Sequence, residues 1–156
     1  MLASLGRHHR SKLVDLLEGT AEFTPEEVAV AIELIDAALA EPASDDYRFI
    51  ICEEGERLLG YACFGDTPMT EGCFDLYWLV VAPSARRSGV ARELLAAVEQ
   101  ALRRHHARIV RVETAGLDSY APARALYENS GYETAARIRD FYHRGNDLYI
   151  YVKYLT

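Results

Sequence analysis

The 156-residue chain predicts a single α+β domain spanning residues 1–156. Three observations carry that prediction. Apolar residues recur at helical spacing early in the chain and again near residue 90. Apolar runs of strand length fill the middle and the end. Turn residues punctuate the whole without a repeat, a low-complexity tract or a linker. Half of the residues are hydrophobic and 26% are charged, a globular balance with enough chain for a sizeable core.

The first third reads as helical. Leu13, Leu16 and Leu17 make an apolar face between Arg10 and Leu17. Phe23-Thr24-Pro25-Glu26-Glu27-Val28 then concentrates helix-start signals. Thr24 caps, Pro25 suits the first helical position, Glu27 completes a capping box, and Phe23 and Val28 stand at staple positions. Val28, Ile32, Ile35 and Leu39 form the apolar stripe that follows, with Pro42 beyond its end.

Strand signals replace this pattern at Tyr47–Cys52 and Leu58–Phe64, joined by a turn over Glu53-Glu54-Gly55-Glu56. A loop from Asp66 to Gly72 leads to a strongly apolar third strand, Cys73–Val81. A helix from Gly89 to His106 presents Ala91, Leu94, Leu95, Val98 and Leu102 on one face. Arg108–Thr114 reads as a strand. Ala121–Ser130 reads as a short helix with Gly131 as its left-handed cap. Tyr132–Tyr142 and Leu148–Tyr154 close the chain around a turn at Arg144–Asp147.

The most informative chemistry lies at Val80-Val81-Ala82-Pro83-Ser84-Ala85-Arg86-Arg87-Ser88-Gly89-Val90-Ala91-Arg92. An apolar strand stops at a proline, crosses a basic loop and enters a helix through glycine. The first N–H groups of a helix have no acceptor inside it, and the helix dipole puts positive charge there. Successive N–H groups in such a loop make an anion nest, and Gly89 lets a phosphate approach closely. Arg86, Arg87 and Arg92 add charge and forked donors. Neither a P-loop sequence nor a Gly-x-Gly-x-x-Gly after a strand occurs, so this phosphate grip belongs to neither of those classes.

Arg86-x-x-Gly89-x-Ala91 resembles the acetyl-CoA signature, Gln/Arg-x-x-Gly-x-Gly/Ala, of the GNAT superfamily of acyl-CoA-dependent N-acyltransferases. Leu126-Tyr127-Glu128-Asn129-Ser130-Gly131-Tyr132 resembles that family's Leu-Tyr-x-x-x-Gly-Phe/Tyr segment, and the order of elements over residues 10–155 is similar to the family's. The resemblance implies a mixed, mostly antiparallel central sheet flanked by helices. Only Met1–Leu5 can supply the usual first strand, which is therefore expected to be reduced or missing.

The resemblance also implies roles. Acetyl transfer from a thioester to an amine requires a deprotonated amine, a stabilised oxyanion and a proton for the departing thiolate. In the family the backbone of the strand before the loop holds the pantetheine arm, here Leu79, Val80 and Val81. The loop residues Arg86, Arg87, Ser88, Gly89, Val90, Ala91 and Arg92 would hold the pyrophosphate. Tyr127 takes the position of the thiolate acid, and a phenol stays protonated to about pH 10. Asp75, fourteen residues before Gly89, takes the position of the base in some members and is the favoured base, Glu113 at the end of the next strand is its rival, and a water chain is a third route. Acceptor-pocket candidates are Phe23, Tyr77, Tyr120 and Tyr142, with Trp78 on the strand face opposite Asp75 and Tyr77.

These residues imply a cytoplasmic enzyme using acetyl-CoA to acetylate a primary amine by direct attack. The acceptor is a small cationic amine, an amino acid or a protein N-terminus. The alternatives are a non-catalytic acyl-CoA sensor, which needs no base, and an interaction module. A net charge of −7 argues against nucleic acid as a partner. No apolar run approaches the ~20 residues needed to cross a bilayer. Cys52, Cys63 and Cys73 read as buried reduced thiols. The adjacent pairs His8-His9 and His105-His106 point apart on a helix, so no metal site is expected, and His143 reads as solvated. The oligomeric state is open, with a homodimer as one option.

Overall fold

The computed structural model describes Met1–Leu155. Its strands are β1 (Leu2–Ser4), β2 (Arg48–Glu54), β3 (Arg57–Asp66), β4 (Cys73–Val81), β5 (Ile109–Ala115), β6 (Glu133–His143) and β7 (Asn146–Tyr154). Its helices are α1 (Arg10–Glu18), α2 (Pro25–Leu39), α3 (Val90–Arg104) and α4 (Ala121–Asn129). The strand order is β1-β2-β3-β4-β5-β7-β6. β1–β2, β2–β3, β5–β7 and β6–β7 pair antiparallel, whereas β4 and β5 run parallel. The chain divides into two compact units, one of Met1–Gly65 with Trp78–Val98, the other of Asp66–Tyr77 with Glu99 onward.

In the first unit the reduced first strand is present. Leu2, Ala3 and Ser4 pair with Cys52, Ile51 and Ile50. The predicted capping box closes α2: Thr24 Oγ1 accepts from the Glu27 N–H at 3.2 Å, and Glu27 Oε2 accepts from the Thr24 N–H at 2.8 Å. The buried stripe of α2 differs from the predicted one. Ala31 and Ile35 are buried, while Val28, Ile32 and Leu39 are half-buried. The buried line thus runs through Ala31 and Ile35, one helical turn apart. The predicted four-residue hairpin turn shortens to Gly55-Glu56, since β2 and β3 pair out to Glu54 and Arg57.

In the second unit the β5–β7 ladder runs unbroken from Ile109↔Tyr154 to Ala115↔Leu148. Val110, Val112 and Tyr151 are buried on one face of it. β6 is the outer strand and exposes almost every side chain. Cys52 and Cys63 are buried free thiols as expected, but Cys73 is only half-buried because it begins β4.

Candidate functional site

In the first unit β4 runs into the basic loop. The Ala82 N–H donates to the Leu59 carbonyl at 2.8 Å, securing the strand end against β3. Pro83–Ala85 form one 3₁₀ turn, and the Ser88 hydroxyl donates to the Ala85 carbonyl. Arg87 (φ 61°) and Gly89 (φ 88°) both take left-handed backbone conformations. Left-handed residues within a turn are the kind of backbone from which an anion-binding nest of N–H groups is built. The Glu93 N–H donates to the Gly89 carbonyl at 3.0 Å, the first bond of α3. The N–H groups of Val90, Ala91 and Arg92 therefore have no acceptor within that helix. A Cβ placed on Gly89 would meet nothing within 4 Å, so the loop's face is open. Unpaired N–H groups, an open face and three arginines fit a pyrophosphate.

Arg86 is not a free cation. Its two terminal nitrogens donate to the two carboxylate oxygens of Glu22 at 3.0 and 3.2 Å. That pairing holds the Glu22 carboxyl below its ordinary range. Glu22 lies in the turn between α1 and α2, closed by the Phe23 N–H donating to the Thr20 carbonyl at 3.2 Å. Phe23 meets the Trp78 ring edge-on, with centroids 5.4 Å apart at 85°. Ser84, Ala85, Ser88 and Val90 also border a cavity of about 660 Å³. Glu53, Glu54 and Glu93 line its other walls against two cations, Arg57 and the Met1 ammonium. That excess of carboxylates does not suit an anion in this cavity.

The second unit holds the predicted acid and bases. Tyr127 occupies the last turn of α4, which ends in a Schellman motif. The Tyr132 N–H donates to the Tyr127 carbonyl at 3.0 Å and the Gly131 N–H to the Glu128 carbonyl at 3.2 Å. Gly131, at φ 85°, takes the left-handed position this motif requires. The Tyr127 ring contacts those of Tyr132 and Tyr151, with centroids 5.6 and 5.8 Å away. Burial pushes its phenol well above the ordinary tyrosine range. Tyr151 donates to Glu128 Oε1 at 2.9 Å, and burial pushes its own phenol up to about 12. Below them, Lys153 Nζ donates to both oxygens of Glu99 at 3.0 and 2.9 Å and to the Ser130 carbonyl at 2.8 Å. This cluster ties α3, β7 and the end of α4 together.

Asp75 is buried, and its Oδ1 accepts from Arg111 Nε at 2.6 Å. The two residues are direct partners in the parallel β4–β5 register. The carboxylate pushes the Arg111 guanidinium above its usual range. Glu113, two residues along β5 and hence on the same sheet face as Arg111, is exposed. Among the described residues no group of three or more His, Cys, Asp and Glu side chains is placed to hold a metal ion.

The sequence profile of the Acetyltransferase (GNAT) family matches residues 12–132. The chain belongs to the GNAT family of acetyltransferases. A solved protein from Desulfovibrio desulfuricans, assigned to the same family, is 38% identical and superposes with a TM-score of 0.94, covering 100% of this chain and 99% of its own. The Escherichia coli ribosomal-protein-S18-alanine N-acetyltransferase shares the fold at 18% identity and a TM-score of 0.79, over 100% and 94% of the two chains. An aminoglycoside 6′-N-acetyltransferase solved with coenzyme A shares it at 14% identity and 0.78, over 100% and 97%. No curated protein sequence matches the chain.

Within this GNAT acetyltransferase the structure sorts the predicted residues into separate groups. Val80 is buried, with Leu79 and Val81 half-buried beside it. Arg86 to Arg92 form one open loop and helix start. Phe23 joins Trp78, which lies in the first unit as β4 crosses between units. Tyr77 and Tyr142 are partly exposed, and Tyr142 packs edge-on against Phe141 at 5.1 Å. Tyr120 is half-buried in the 3₁₀ turn before α4. Sequence reasoning missed Glu22 and Arg111. Both act through partners 64 and 36 residues away, separations at which a pair leaves no local pattern. It also missed His9, which is buried with Nδ1 accepting from the Gly6 N–H at 2.9 Å and Nε2 facing Glu53 at 3.2 Å.

Proposed function

We propose that the chain works as one acetyltransferase domain that transfers the acetyl group of acetyl-CoA to a primary amine by direct attack. The observation that carries this reading is the open loop from Arg86 to Arg92, with left-handed Arg87 and Gly89 leading into α3, in a chain of an acetyltransferase family. Acetyl-CoA supplies the activated acyl group as a thioester. The loop N–H groups and Arg86, Arg87 and Arg92 would bind its pyrophosphate, with Ser88 bracing the turn. The backbone of Leu79–Val81 would take the pantetheine arm.

Tyr127 is the proposed proton donor to the leaving sulfur. A phenol is protonated near neutral pH, as a donor must be. Between the two carboxylates, we place Glu113 ahead of Asp75 as acceptor of the amine's proton. Glu113 is exposed, whereas Asp75 is buried and committed to Arg111. Phe23, Tyr77, Tyr120 and Tyr142 are the proposed contacts of the acceptor, their aromatic faces suiting a cationic amine. The solved relatives named above acetylate a ribosomal-protein alanine and aminoglycosides. Both are amines, and the acceptor here is proposed within that class.

Calorimetry with acetyl-CoA and with S-acetylpantetheine, which lacks the pyrophosphate, tests the cofactor half of this reading. The expected result is binding of acetyl-CoA that weakens at least tenfold for the truncated thioester and in Arg86→Ala. Equal affinity for the two thioesters would overturn the phosphate assignment.

A further inference from the structure

We propose that Glu22 is a positioning residue that occupies the fork of Arg86 in the cofactor-free protein and is displaced from it by the pyrophosphate of acetyl-CoA. This rests on the loop's assignment as the phosphate site. The carboxylate of Glu22 presents two oxygens to the two terminal nitrogens of Arg86 at 3.0 and 3.2 Å, the same bidentate geometry a phosphate offers. Glu22 is the more enclosed partner, its side chain 25% exposed against 45% for Arg86. The arginine is thus the accessible member of the pair, and the carboxylate lies on the protein side of it. A phosphate reaching Arg86 meets a cation already neutralised, and a carboxylate left beside a phosphate is repelled by it.

Displacement reaches further than the ion pair. Glu22 and Phe23 are consecutive residues of one tight turn, and Phe23 packs edge-on against Trp78 of β4. The turn between α1 and α2 is therefore fastened at two points to the strand and loop proposed to bind the cofactor. Loss of the Glu22–Arg86 pair removes one of the contacts that fix the turn carrying Phe23, a proposed acceptor contact, and leaves the Thr20 hydrogen bond and the Trp78 contact in place. Cofactor binding thereby reaches Phe23 through the turn it shares with Glu22.

The test is a double-mutant cycle in CoA affinity, read by calorimetry on the full chain. Glu22→Gln keeps the shape of the side chain but removes its charge. The expected result is CoA binding about three- to fivefold tighter than wild type, the scale of a partly exposed ion pair released from competition. In an Arg86→Ala background the same substitution should change nothing. A merely structural Glu22 would give weaker binding or none of this tightening, and either overturns the proposal. Tightening of equal size in both backgrounds would show a general field effect and would also overturn it. Should Arg86→Ala alone leave CoA affinity intact, the phosphate assignment fails along with the latch. Weakening by Arg86→Ala without tightening by Glu22→Gln sinks the latch alone.

Trp78 is the one tryptophan of the chain, so its emission supplies a readout independent of activity. The spectrum of cofactor-free Glu22→Gln should move away from that of the wild type. An unchanged spectrum would mean that Phe23 and Trp78 do not feel the Glu22 anchor.

Discussion

Arg111 Nε donates to Oδ1 of Asp75 at 2.6 Å, and the two residues face each other across the parallel pairing of β4 and β5. This pair argues for placing Glu113 ahead of Asp75, the base favoured from the sequence. A buried carboxylate already engaged by a guanidinium contributes to holding two strands in register before it contributes to proton transfer. Glu113→Gln is accordingly expected to lower kcat/KM by about 100-fold, the scale of a lost general base. Asp75→Asn should act mainly on stability, by about 1–2 kcal/mol, through loss of a charge-assisted bond. Thermal unfolding and steady-state kinetics on both variants separate the two effects. A kinetic collapse in Asp75→Asn with unchanged melting would return the base to Asp75.

Removing the Tyr127 hydroxyl should isolate the acid. Tyr127→Phe keeps the ring in contact with Tyr132 and Tyr151, so the melting temperature should hold. Turnover should fall by about 10- to 100-fold with little change in the KM for acetyl-CoA. Full activity in this variant would remove Tyr127 from the reaction.

Burial makes the chain sensitive to alkali. Burial pushes the phenols of Tyr61, Tyr127 and Tyr132 above their ordinary range near 10, and the Cys63 thiol likewise. Between its ordinary value and its higher folded value, each group keeps a proton in the folded chain that the unfolded chain has released. Stability must therefore fall as pH rises through that window, by about 1.4 kcal/mol per pH unit for each group. The loss should begin near pH 9 with the thiol and steepen above pH 10. Chemical denaturation from pH 8 to 11 measures it, and a flat profile would show that these groups ionise in place.

The left-handed positions of the loop predict opposite outcomes. At Gly89 a Cβ finds open space but the φ of 88° strains any L side chain. Gly89→Ala should cost about 1–2 kcal/mol and weaken CoA binding by narrowing the nest. Arg87 already bears that strain at φ 61°. Arg87→Gly should melt higher while binding CoA more weakly, because relief of strain is coupled to loss of a phosphate contact. Melting curves and calorimetry on the two variants test both. A higher melting temperature for Gly89→Ala would contradict this.

Local chemistry made most of this fold legible. The α2 capping box and the Gly131 cap needed only residues within a few positions of one another, and both formed as read. The basic loop was equally legible, since a strand, a proline, arginines and a glycine are consecutive. What escaped was tertiary. In the sequence Glu22 and Arg111 are single charges with no partner nearby in the chain to mark them. Their partners follow from the packing of the α1–α2 turn and from strand register, neither of which a local pattern encodes. The α2 stripe failed for the same reason. Helical period defines a face, but it does not decide that Ala31 is buried and Val28 only half-buried.

The most direct measurement is CoA thiol release from acetyl-CoA by the purified chain, with polyamines, amino acids, aminoglycosides and short peptides offered in turn and an acceptor-free baseline. The account predicts release that depends on one class of amine and falls sharply in Tyr127→Phe. Traces that stay at the baseline with every amine, from protein that binds acetyl-CoA, would contradict it and leave a chain that holds the cofactor without transferring its acetyl group.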